Sequence, residues 1–510
     1  MRQDGLPAVY KQEKKAEQMK MMKHRGLSLR EKIGYSFLAV YAVAALIFVV
    51  FCISLDMLPI VYIAVFGLVL AILGVLFAIM QKKFTSAVIA DILCALFTVF
   101  CIAGCYFIDK ADSTIRNISS AETQTEVVGV YVMQDDAAQT LTDAEGYTFG
   151  VTTAVDKENT DKTVEDLERT LGRSLDIREY DSLFEMLDAL KEDTIGAIVL
   201  NSSYVGIAAD VESYEWAATD LRELTTVSHE VEVEQTDTVP EDVPETFVMY
   251  LSGIDTYGGI SARSRSDVNI LAVVNTRTKN ILLLSTPRDY YVDFEATGGA
   301  KDKLTHAGIY GVEQSMDALE RLYDIDIDYY LRINFTGFVD IIDALGGVDV
   351  YSDYDFTVQN IKEYHKGYNH LDGLEALAFA RERYSFADGD YQRARNQMEV
   401  IRAVVDKAVS SSLLANYNSV MNAVAGSFET NMPSQQIASL VRMQLSDMSK
   451  WNITSYAPAG QSTYAETYSM PGQQLYVIIP DENEVAEAKE KIREVYGTDD
   501  QSNDSNESSQ

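Results

Sequence analysis

Residues 371–397, LDGLEALAFARERYSFADGDYQRARNQ, form a stretch in which arginines and apolar residues alternate with acids. Asp390, Arg393 and Gln397 are spaced to share one face of a helix. Apolar residues near its end and just beyond it repeat with the same period on a second face, namely Ala394, Met398, Ile401 and Val405. We therefore expect a helix that buries one side and presents an acid, a guanidinium and an amide on another.

Four arginines lie within fifteen positions of this stretch, although the chain as a whole has a net charge of −35. They are Arg381, Arg383, Arg393 and Arg395. A guanidinium is a planar fork that binds two phosphate oxygens at once, so the cluster favours an oxyanion site. The alternative is a surface network of ion pairs with the acids Glu382, Asp388 and Asp390, and the spacing alone leaves both interpretations open.

Charge and cysteine are distributed unevenly along the 510 residues, a length for which about three domains are expected. Residues 1–33 carry nine Lys/Arg against four Asp/Glu, residues 34–110 are neutral, and residues 111–510 hold a net charge of −40. Such acidity argues against nucleic-acid binding by the large C-terminal part. All four cysteines precede residue 106, so the later residues cannot form a disulfide framework or a zinc–thiolate site.

Three apolar runs follow the basic start, at about 35–53, 59–80 and 87–108. Each approaches the ~20 residues that a membrane-spanning helix needs, so residues 34–110 are predicted to be three transmembrane helices. Positive charge favours the cytoplasmic side, which places the arm 1–33 inside and everything after the third helix outside the cell. The basic arm is interpreted as a topology signal, with binding of DNA or anionic lipid as the alternative.

The remaining chain is predicted to be of the α/β class. Alternating strand and helix patterns indicate a small extracytoplasmic α/β accessory domain over 111–240, which begins with a polar linker at 111–126. Residues 246–408 are predicted to form a mixed α/β sandwich. Residues 409–497 are predicted to be a helical extension that completes this domain and includes one edge strand at Leu475–Ile479. The Asp/Ser/Asn-rich tail 498–510 is predicted to be disordered.

Two predicted strands of the second domain end in charged residues, Asp255 and Arg288. Ligands of open α/β sheets bind beyond the carboxyl ends of strands, so a site is expected there. Asp255 and Asp267 are the best candidate pair for Mg²⁺, which binds a few carboxylates and borrows phosphate oxygens. The alternative is a turn cap for Asp255 and an ion pair for Asp267. His306 could be a base or a metal ligand, but a hydrogen-bonded structural role is favoured.

The order and spacing of these motifs resemble the LytR-CpsA-Psr (LCP) family of cell-wall glycopolymer ligases over about 246–408. The matching motifs are GID (253–255), RSD (265–267), TPRD (286–289), DKLTHA (302–307), the run 328–350, LDGLEALAFARER (371–383) and DYQRARNQ (390–397). The three apolar runs and the preceding α/β domain further resemble the capsule-associated, CpsA-like branch. The family often ends its last motif with Arg-Gln, whereas Asn396 precedes Gln397 here, so an arginine role at 395 or 396 is in doubt.

The resemblance implies a catalytic LCP domain at 246–408 with an Mg²⁺ site, Mn²⁺ being the alternative ion, on Asp255 and Asp267. It implies a pyrophosphate site made of Arg265, Arg288, Lys303, Arg381, Arg383, Arg393 and Gln397. It further implies that the residues closest to the chemistry are Arg288, Arg381, Arg383 and Asp390. Members of the family also bury the prenyl chain of the carrier in an apolar tunnel beside the sheet.

The implied activity is transfer of a glycopolymer, either capsular polysaccharide or a teichoic-acid-like polymer, from a polyprenyl-pyrophosphate carrier to peptidoglycan. The expected partners are the carrier-linked glycan, the peptidoglycan acceptor, membrane lipid and other capsule-synthesis proteins, with no nucleic acid. Two rival interpretations stay open. In one, the protein is a membrane-bound regulator that senses wall or capsule synthesis through the carrier lipid, and in the other it binds the carrier lipid without catalysis.

Overall fold

The computed structural model describes residues 28–118, 123–232, 243–254, 262–410 and 417–497. Most of the predicted basic arm, the predicted disordered tail and Asp255 lie outside the described residues. The chain forms two compact units: one extends to Asp112 and takes in the segment Val441–Ser446, and the other contains the rest.

The first unit contains three helices, α1 (Leu29–Leu55), α2 (Ile60–Met80) and α3 (Phe84–Ile118). All three are long and apolar enough to cross a membrane. Helix α1 starts with a capping box, in which Ser28 and Glu31 each satisfy the other's backbone N–H group. The polar linker predicted from residue 111 is wrong at its start, because α3 continues to Ile118. Its last turns keep a helical period of buried apolar side chains, Ala111, Ile115 and Ile118.

The accessory domain is built on a five-stranded sheet in the order β3-β2-β4-β1-β5. Strands β2, β3 and β4 are parallel, whereas β1 is antiparallel to both β4 and β5. Its elements are β1 (Thr123–Met133), β2 (Thr148–Thr152), α4 (Lys157–Leu171), β3 (Asp176–Tyr180), α5 (Leu183–Lys191), β4 (Ala197–Asn201), α6 (Ser202–Ala209), α7 (Ala217–Asp220) and β5 (Leu221–Glu232). Strand β5 lies at one edge of this sheet, and residues 233–242, which follow it, lie outside the described part.

The second domain is built on a six-stranded mixed sheet in the order β16-β11-β6-β7-β8-β17. Its central strands are β6 (Thr246–Ile254), β7 (Ser266–Asn275), β8 (Asn280–Ser285) and β11 (Tyr329–Ile333). Side chains alternate between the faces of each strand, so Tyr250 and Leu271 pack on one face and Phe247 and Ile270 on the other. One face is covered by α9 (Val312–Tyr323) and α15 (Glu482–Tyr496), and the other by α12 (Gly389–Ala408) and α14 (Ser434–Asp447). This arrangement confirms the predicted mixed α/β sandwich.

Short elements connect these layers. They are β9 (Tyr291–Val292), β10 (Asp302–Lys303), α8 (Leu304–Tyr310), α10 (Phe335–Ala344), β12 (Val348–Ser352), β13 (Phe356–Val358), β14 (Lys362–Tyr364), β15 (Gly367–Leu371), α11 (Gly373–Arg381) and α13 (Tyr417–Val424). Helix α11 starts with a capping box between Asp372 and Glu375 and ends at Arg381.

The prediction that residues 409–497 form a helical extension is wrong for three strands, whereas the last strand of this range contains the strand predicted at Leu475–Ile479. Strands β16 (Phe428–Thr430) and β17 (Asn452–Tyr456) close the two edges of the central sheet. Strands β18 (Gly460–Thr467) and β19 (Met470–Pro480) form an antiparallel hairpin. β16 and β17 are short and rich in polar residues, so their sequences lack the long apolar runs that marked the central strands.

Candidate functional site

A cavity of about 160 Å³ opens where β8 ends and β7 begins, against the first turns of α12. Since β6 and β8 are both antiparallel to β7, their carboxyl ends meet at this edge of the sheet. Its lining includes the charged residues Asp267, Arg288, Asp289, Asp388, Asp390 and Arg393, together with Gln397, Tyr391, Tyr476 and Ile478. The cavity therefore lies at the edge of the sheet where a site was predicted, beyond the carboxyl ends of the strands.

Arg288 and Asp267 form the ion pair at the base of this cavity. Nη1 of Arg288 donates to Oδ1 of Asp267 over 2.9 Å, and both side chains are about four-fifths buried. Burial by itself raises the pKa of Asp267, but the positive charges of Arg288 and then Arg265 outweigh it and lower that pKa below 3.8. Burial also opposes the charge of Arg288, yet Asp267 and Asp289 raise its pKa overall. Both groups are therefore charged at neutral pH.

Helix α12 supplies the opposite wall, as its sequence period predicts. Nη2 of Arg393 lies 3.1 Å from Oδ1 of Asp390, one turn earlier, and Nη1 of Arg383 lies 3.7 Å from the same oxygen. Burial lowers the pKa of Arg393, and the nearby charge of Arg288 adds to this effect against the opposing influence of Asp390. Cations that repel one another in a partly buried cavity are poised to take up an anion between them.

Two further predicted cations lie behind Arg288. Nζ of Lys303 is 3.2 Å from Oδ1 of Asp289, and both side chains are more than nine-tenths buried. Nη1 of Arg265 lies 3.3 Å from Oδ2 of Asp210, an accessory-domain residue. The structure thus brings six of the predicted site residues into or next to one cluster, namely Arg265, Asp267, Arg288, Lys303, Asp390 and Arg393, with Arg383 and Gln397 beside them.

The charge balance of the cavity bears on the predicted Mg²⁺. Four carboxylates and two guanidinium groups line it, so the lining itself is acidic. Oδ1 of Asp267 accepts from Arg288 and Thr305, whereas its Oδ2 has no hydrogen bond to any described residue. One open carboxylate oxygen beside a phosphate-sized cavity suits a hard divalent cation that keeps water or phosphate oxygens as its other ligands. Within the described ranges, which exclude Asp255, no three His, Cys, Asp or Glu side chains are grouped to hold a metal by themselves.

Arg381 is the predicted site residue that the structure places elsewhere. Its guanidinium lies over the ring of Phe335, 4.3 Å from the ring centroid, and it does not line the cavity. Arg381 is the last residue of α11, and its cation–π contact with Phe335 opposes rotation of the side chain toward the cavity. The predicted role of Arg381 at the diphosphate therefore rests on the family resemblance and stays a prediction.

Positions 395 and 396 have different surroundings in the structure. Asn396 is buried, accepts from Gln392 over 2.9 Å and donates to the carbonyl of Phe379 over 3.2 Å, which ties α12 to α11. Arg395 pairs with Asp388 and Gln392 at the margin of the cavity.

His306 is fully buried, with Nδ1 2.6 Å from Asp302, in agreement with the favoured structural role.

Sequence reasoning missed several residues of the site. Asp289 lies inside the quoted TPRD motif but received no role, although its position directly after Arg288 was a usable signal. Tyr476 and Ile478 enter the cavity from β19, almost 190 residues after Arg288, and no local pattern links them to it. Asp210 belongs to a domain in which no functional residue was identified.

Comparison with known proteins identifies a family that this chain matches. The sequence pattern of the LytR_cpsA_psr family matches residues 211–494. The polyisoprenyl-teichoic acid–peptidoglycan teichoic acid transferase TagU of Bacillus cereus is 36% identical over 203 residues, which are 40% of this chain and 66% of that protein. The corresponding transferase TagT of Bacillus subtilis is 37% identical over 199 residues, 37% of this chain and 61% of that protein.

Among solved structures, B. subtilis TagV is similar with 28% identity and a TM-score of 0.42, over 49% of this chain and 97% of that one. The chain spans slightly less than two thirds of the length of the two curated relatives. The family pattern, however, covers more than half of the chain and includes every described site residue except Asp210. This protein belongs to the LytR_cpsA_psr family.

Proposed function

We propose that this protein is a membrane-anchored phosphotransferase that moves a glycopolymer from a polyprenyl-pyrophosphate carrier to peptidoglycan and forms a phosphodiester. The observation that carries the proposal is the convergence of Arg288, Arg393 and Gln397 on one cavity together with Asp267. Relatives named as polyisoprenyl-teichoic acid–peptidoglycan transferases support the reaction class. The polymer is a capsular polysaccharide or a teichoic-acid-like chain.

In this reaction an acceptor hydroxyl of peptidoglycan attacks the phosphorus that carries the sugar. A bond forms from the acceptor oxygen to that phosphorus, and the bond from phosphorus to the bridging oxygen breaks. The proton of the hydroxyl passes to a carboxylate at the cavity, Asp390 or Asp267, and prenyl phosphate leaves. Phosphoryl transfer depends mainly on positioning and charge neutralisation, which Arg288, Arg393 and the neighbouring Arg383 supply.

The face of the sheet below α12 provides an apolar surface for the carrier. Met249, Leu251 and Val268 on the strands, and Ile401, Ile437 and Leu440 on the covering helices, are only partly buried there. A prenyl chain on this face would cover the apolar surface while its diphosphate reached the cavity at the strand ends. The three N-terminal helices would hold this unit at the outer face of the membrane, where the carrier delivers its polymer.

Asp267, with Asp255 as its expected partner, would hold Mg²⁺ or Mn²⁺, and a bound divalent cation would offset the negative charge of the diphosphate. Removal of divalent ions with EDTA is therefore expected to abolish transfer, and added Mg²⁺ to restore it. A binding measurement independent of activity is the electron paramagnetic resonance signal of Mn²⁺ titrated into the protein. Asp267→Ala should weaken Mn²⁺ binding at least tenfold, whereas unchanged binding would contradict the assignment.

The decisive experiment on function is product analysis with the full-length protein in detergent, a radiolabelled carrier-linked glycan and wall fragments. We expect label to become covalently attached to peptidoglycan through an acid-labile phosphodiester, with release of polyprenyl phosphate in equal amount. A variant lacking residues 2–27, which keeps the Ser28 cap of α1, should transfer at the wild-type rate. Carrier binding without any labelled peptidoglycan would contradict the proposal and favour the regulator or the non-catalytic lipid-binding protein.

A further inference from the structure

Helix α6 of the accessory domain reaches the cations of the proposed diphosphate site. The helix ends at Ala209 and is capped by Asp210, and the family pattern starts only at residue 211. Oδ2 of Asp210 lies 3.3 Å from Nη1 of Arg265 and 3.8 Å from Nζ of Lys303. One accessory-domain carboxylate therefore bridges two cations that the family resemblance assigns to the pyrophosphate.

These contacts extend into a chain of alternating charges. Lys303 contacts Asp289 at 3.2 Å, Asp289 lies 3.7 Å from Nε of Arg288, and Arg288 contacts Asp267 at 2.9 Å. The electrostatic influence of Asp210 extends as far as Arg288. Because each charge is held by neighbours of opposite sign, displacement of the first member changes the position of those that follow.

A glycine in α6 makes room for Arg265. Nη1 of Arg265 also donates to the carbonyl oxygen of Gly206 over 3.2 Å, so the guanidinium lies flat against the helix backbone. A Cβ atom at residue 206 would come within 2.9 Å of Nη2 and 3.0 Å of Cζ of Arg265. Any side chain at this position would therefore push the guanidinium away from Asp210.

The position of α6 relative to the cavity is fixed by a polar interface next to it. Arg263 pairs with Glu126 at 3.1 Å and donates to Gln124 over 2.8 Å, with its side chain largely buried. Ser203, in the first turn of α6, donates to the carbonyl of Arg263 over 3.0 Å. The chain runs from Arg263 to Arg265 in two residues, so the interface aligns Arg265 with α6.

We propose that the accessory domain completes the diphosphate site, with Asp210 and Gly206 of α6 as positioning residues for Arg265 and Lys303. The proposal rests on the proposed function for the identity of the ligand. The accessory domain would then contribute to diphosphate binding directly. Without Asp210 and Gly206, Arg265 and Lys303 would lose the contacts that hold them in their present positions.

The first test is Gly206→Ala in the full-length protein, with affinity for inorganic pyrophosphate measured by calorimetry. We expect binding three- to tenfold weaker at an unchanged unfolding midpoint, because alanine favours the helix and only the mobile guanidinium has to shift. Gly146→Ala is the matched control in the same domain, since a Cβ there meets nothing within 4 Å. Equal affinity of Gly206→Ala and wild type would overturn the proposal.

The second test separates position from charge. Loss of a carboxylate near an anion site strengthens anion binding by charge alone, so a merely repulsive Asp210 predicts tighter binding by Asp210→Asn. Positioning predicts binding three- to tenfold weaker, with at least half of the affinity restored in Asp210→Glu. Asp193→Asn, at an exposed turn of the same domain, is the control. Tighter binding by Asp210→Asn would overturn the proposal.

The two proposals fail in distinguishable ways. Wild-type protein that binds pyrophosphate but transfers no glycan contradicts the proposed function alone, and the variants then still decide the positioning role. Normal transfer with unchanged affinity in Gly206→Ala contradicts the positioning role alone. Wild-type protein that binds no pyrophosphate contradicts both.

Discussion

Replacement of Arg288 by alanine is expected to slow glycopolymer transfer about a hundred- to a thousandfold, a loss of about 2.7–4 kcal/mol of transition-state stabilisation. Arg288 lies three residues after the end of β8, at the base of the cavity, and is held by Asp267 and Asp289 on either side. Its guanidinium is thus oriented before the diphosphate arrives, and no reorganisation is needed as charge develops on the leaving phosphate. Nε of Arg288 is buried and has no hydrogen-bond partner among the described residues, and a carboxylate oxygen of Asp289 lies 3.7 Å from it.

The comparison that makes this prediction specific uses two further variants in the same radiolabel assay. Arg288→Lys keeps the charge but loses the fork, so its rate should lie between those of wild type and Arg288→Ala. Arg321→Ala removes an exposed arginine of α9 that pairs with Asp317, and should transfer at the wild-type rate. The unfolding midpoint of each variant is measured as well, and a midpoint equal to that of wild type shows that the variant keeps its fold. A rate for Arg288→Ala within threefold of the Arg321→Ala control would contradict the assignment of Arg288.

The central part of this site was predictable because its signals are local. A charged residue lies near one end of each apolar strand: Asp255 follows β6, Asp267 is the second residue of β7, and Arg288 lies three residues after β8. Antiparallel pairing of β7 with both neighbours brings those strand ends together. Likewise, the spacing of Asp390, Arg393 and Gln397 specifies a face of α12 whatever the helix packs against. For such residues, the helical period and the order of the strands are enough to predict which side chains lie close together.

The unpredicted part depends on contacts between distant segments. Strands β16 and β17 are only three and five residues long, and they become strands because the edges of an existing sheet offer them hydrogen-bond partners. Tyr476 reaches the cavity only after the β18–β19 hairpin has docked, and Asp210 only after two domains have packed together. Arg381 shows the converse, since its spacing suggested the cavity while a nearby ring, Phe335, holds it elsewhere.

Replacement of Asp302 by alanine is expected to destabilise the second unit by about 3–5 kcal/mol, because it breaks a buried pair and leaves polar groups without partners. The carboxylate of Asp302 is fully buried and accepts from Nδ1 of His306 at 2.6 Å, from the backbone N–H of Lys303 at 2.7 Å and from that of Ser469 at 2.8 Å. The Ser469 hydroxyl also donates to it. Ser469 lies in the turn of the β18–β19 hairpin. Asp302 therefore binds this hairpin to the rest of the domain, and strand β19 of the hairpin brings Tyr476 to the cavity.

The pH dependence of this contribution follows from the charge of Asp302. Burial by itself raises the pKa of Asp302, but His306 and the hydrogen bonds outweigh it and lower the pKa below 3.8. The folded state therefore favours the ionised carboxylate. The contribution is fully present above the unfolded pKa of about 3.9 and is lost as the pH falls through the lower folded value. The difference between wild type and Asp302→Ala should shrink as the pH falls below about 4.

The measurement is urea unfolding of the full-length protein in detergent, followed by tryptophan fluorescence. Both tryptophans of the chain, Trp216 and Trp451, lie in the second unit, so the signal reports that unit. The chain also offers a matched control, the Asp349–His370 pair between β12 and β15, which has a similar contact of 2.8 Å but is about two-thirds exposed. Water replaces the lost partner at an exposed pair, so Asp349→Ala should cost about 0–1 kcal/mol. If Asp302→Ala and Asp349→Ala destabilise the protein equally, the contacts of the buried Asp302 do not stabilise the hairpin as proposed.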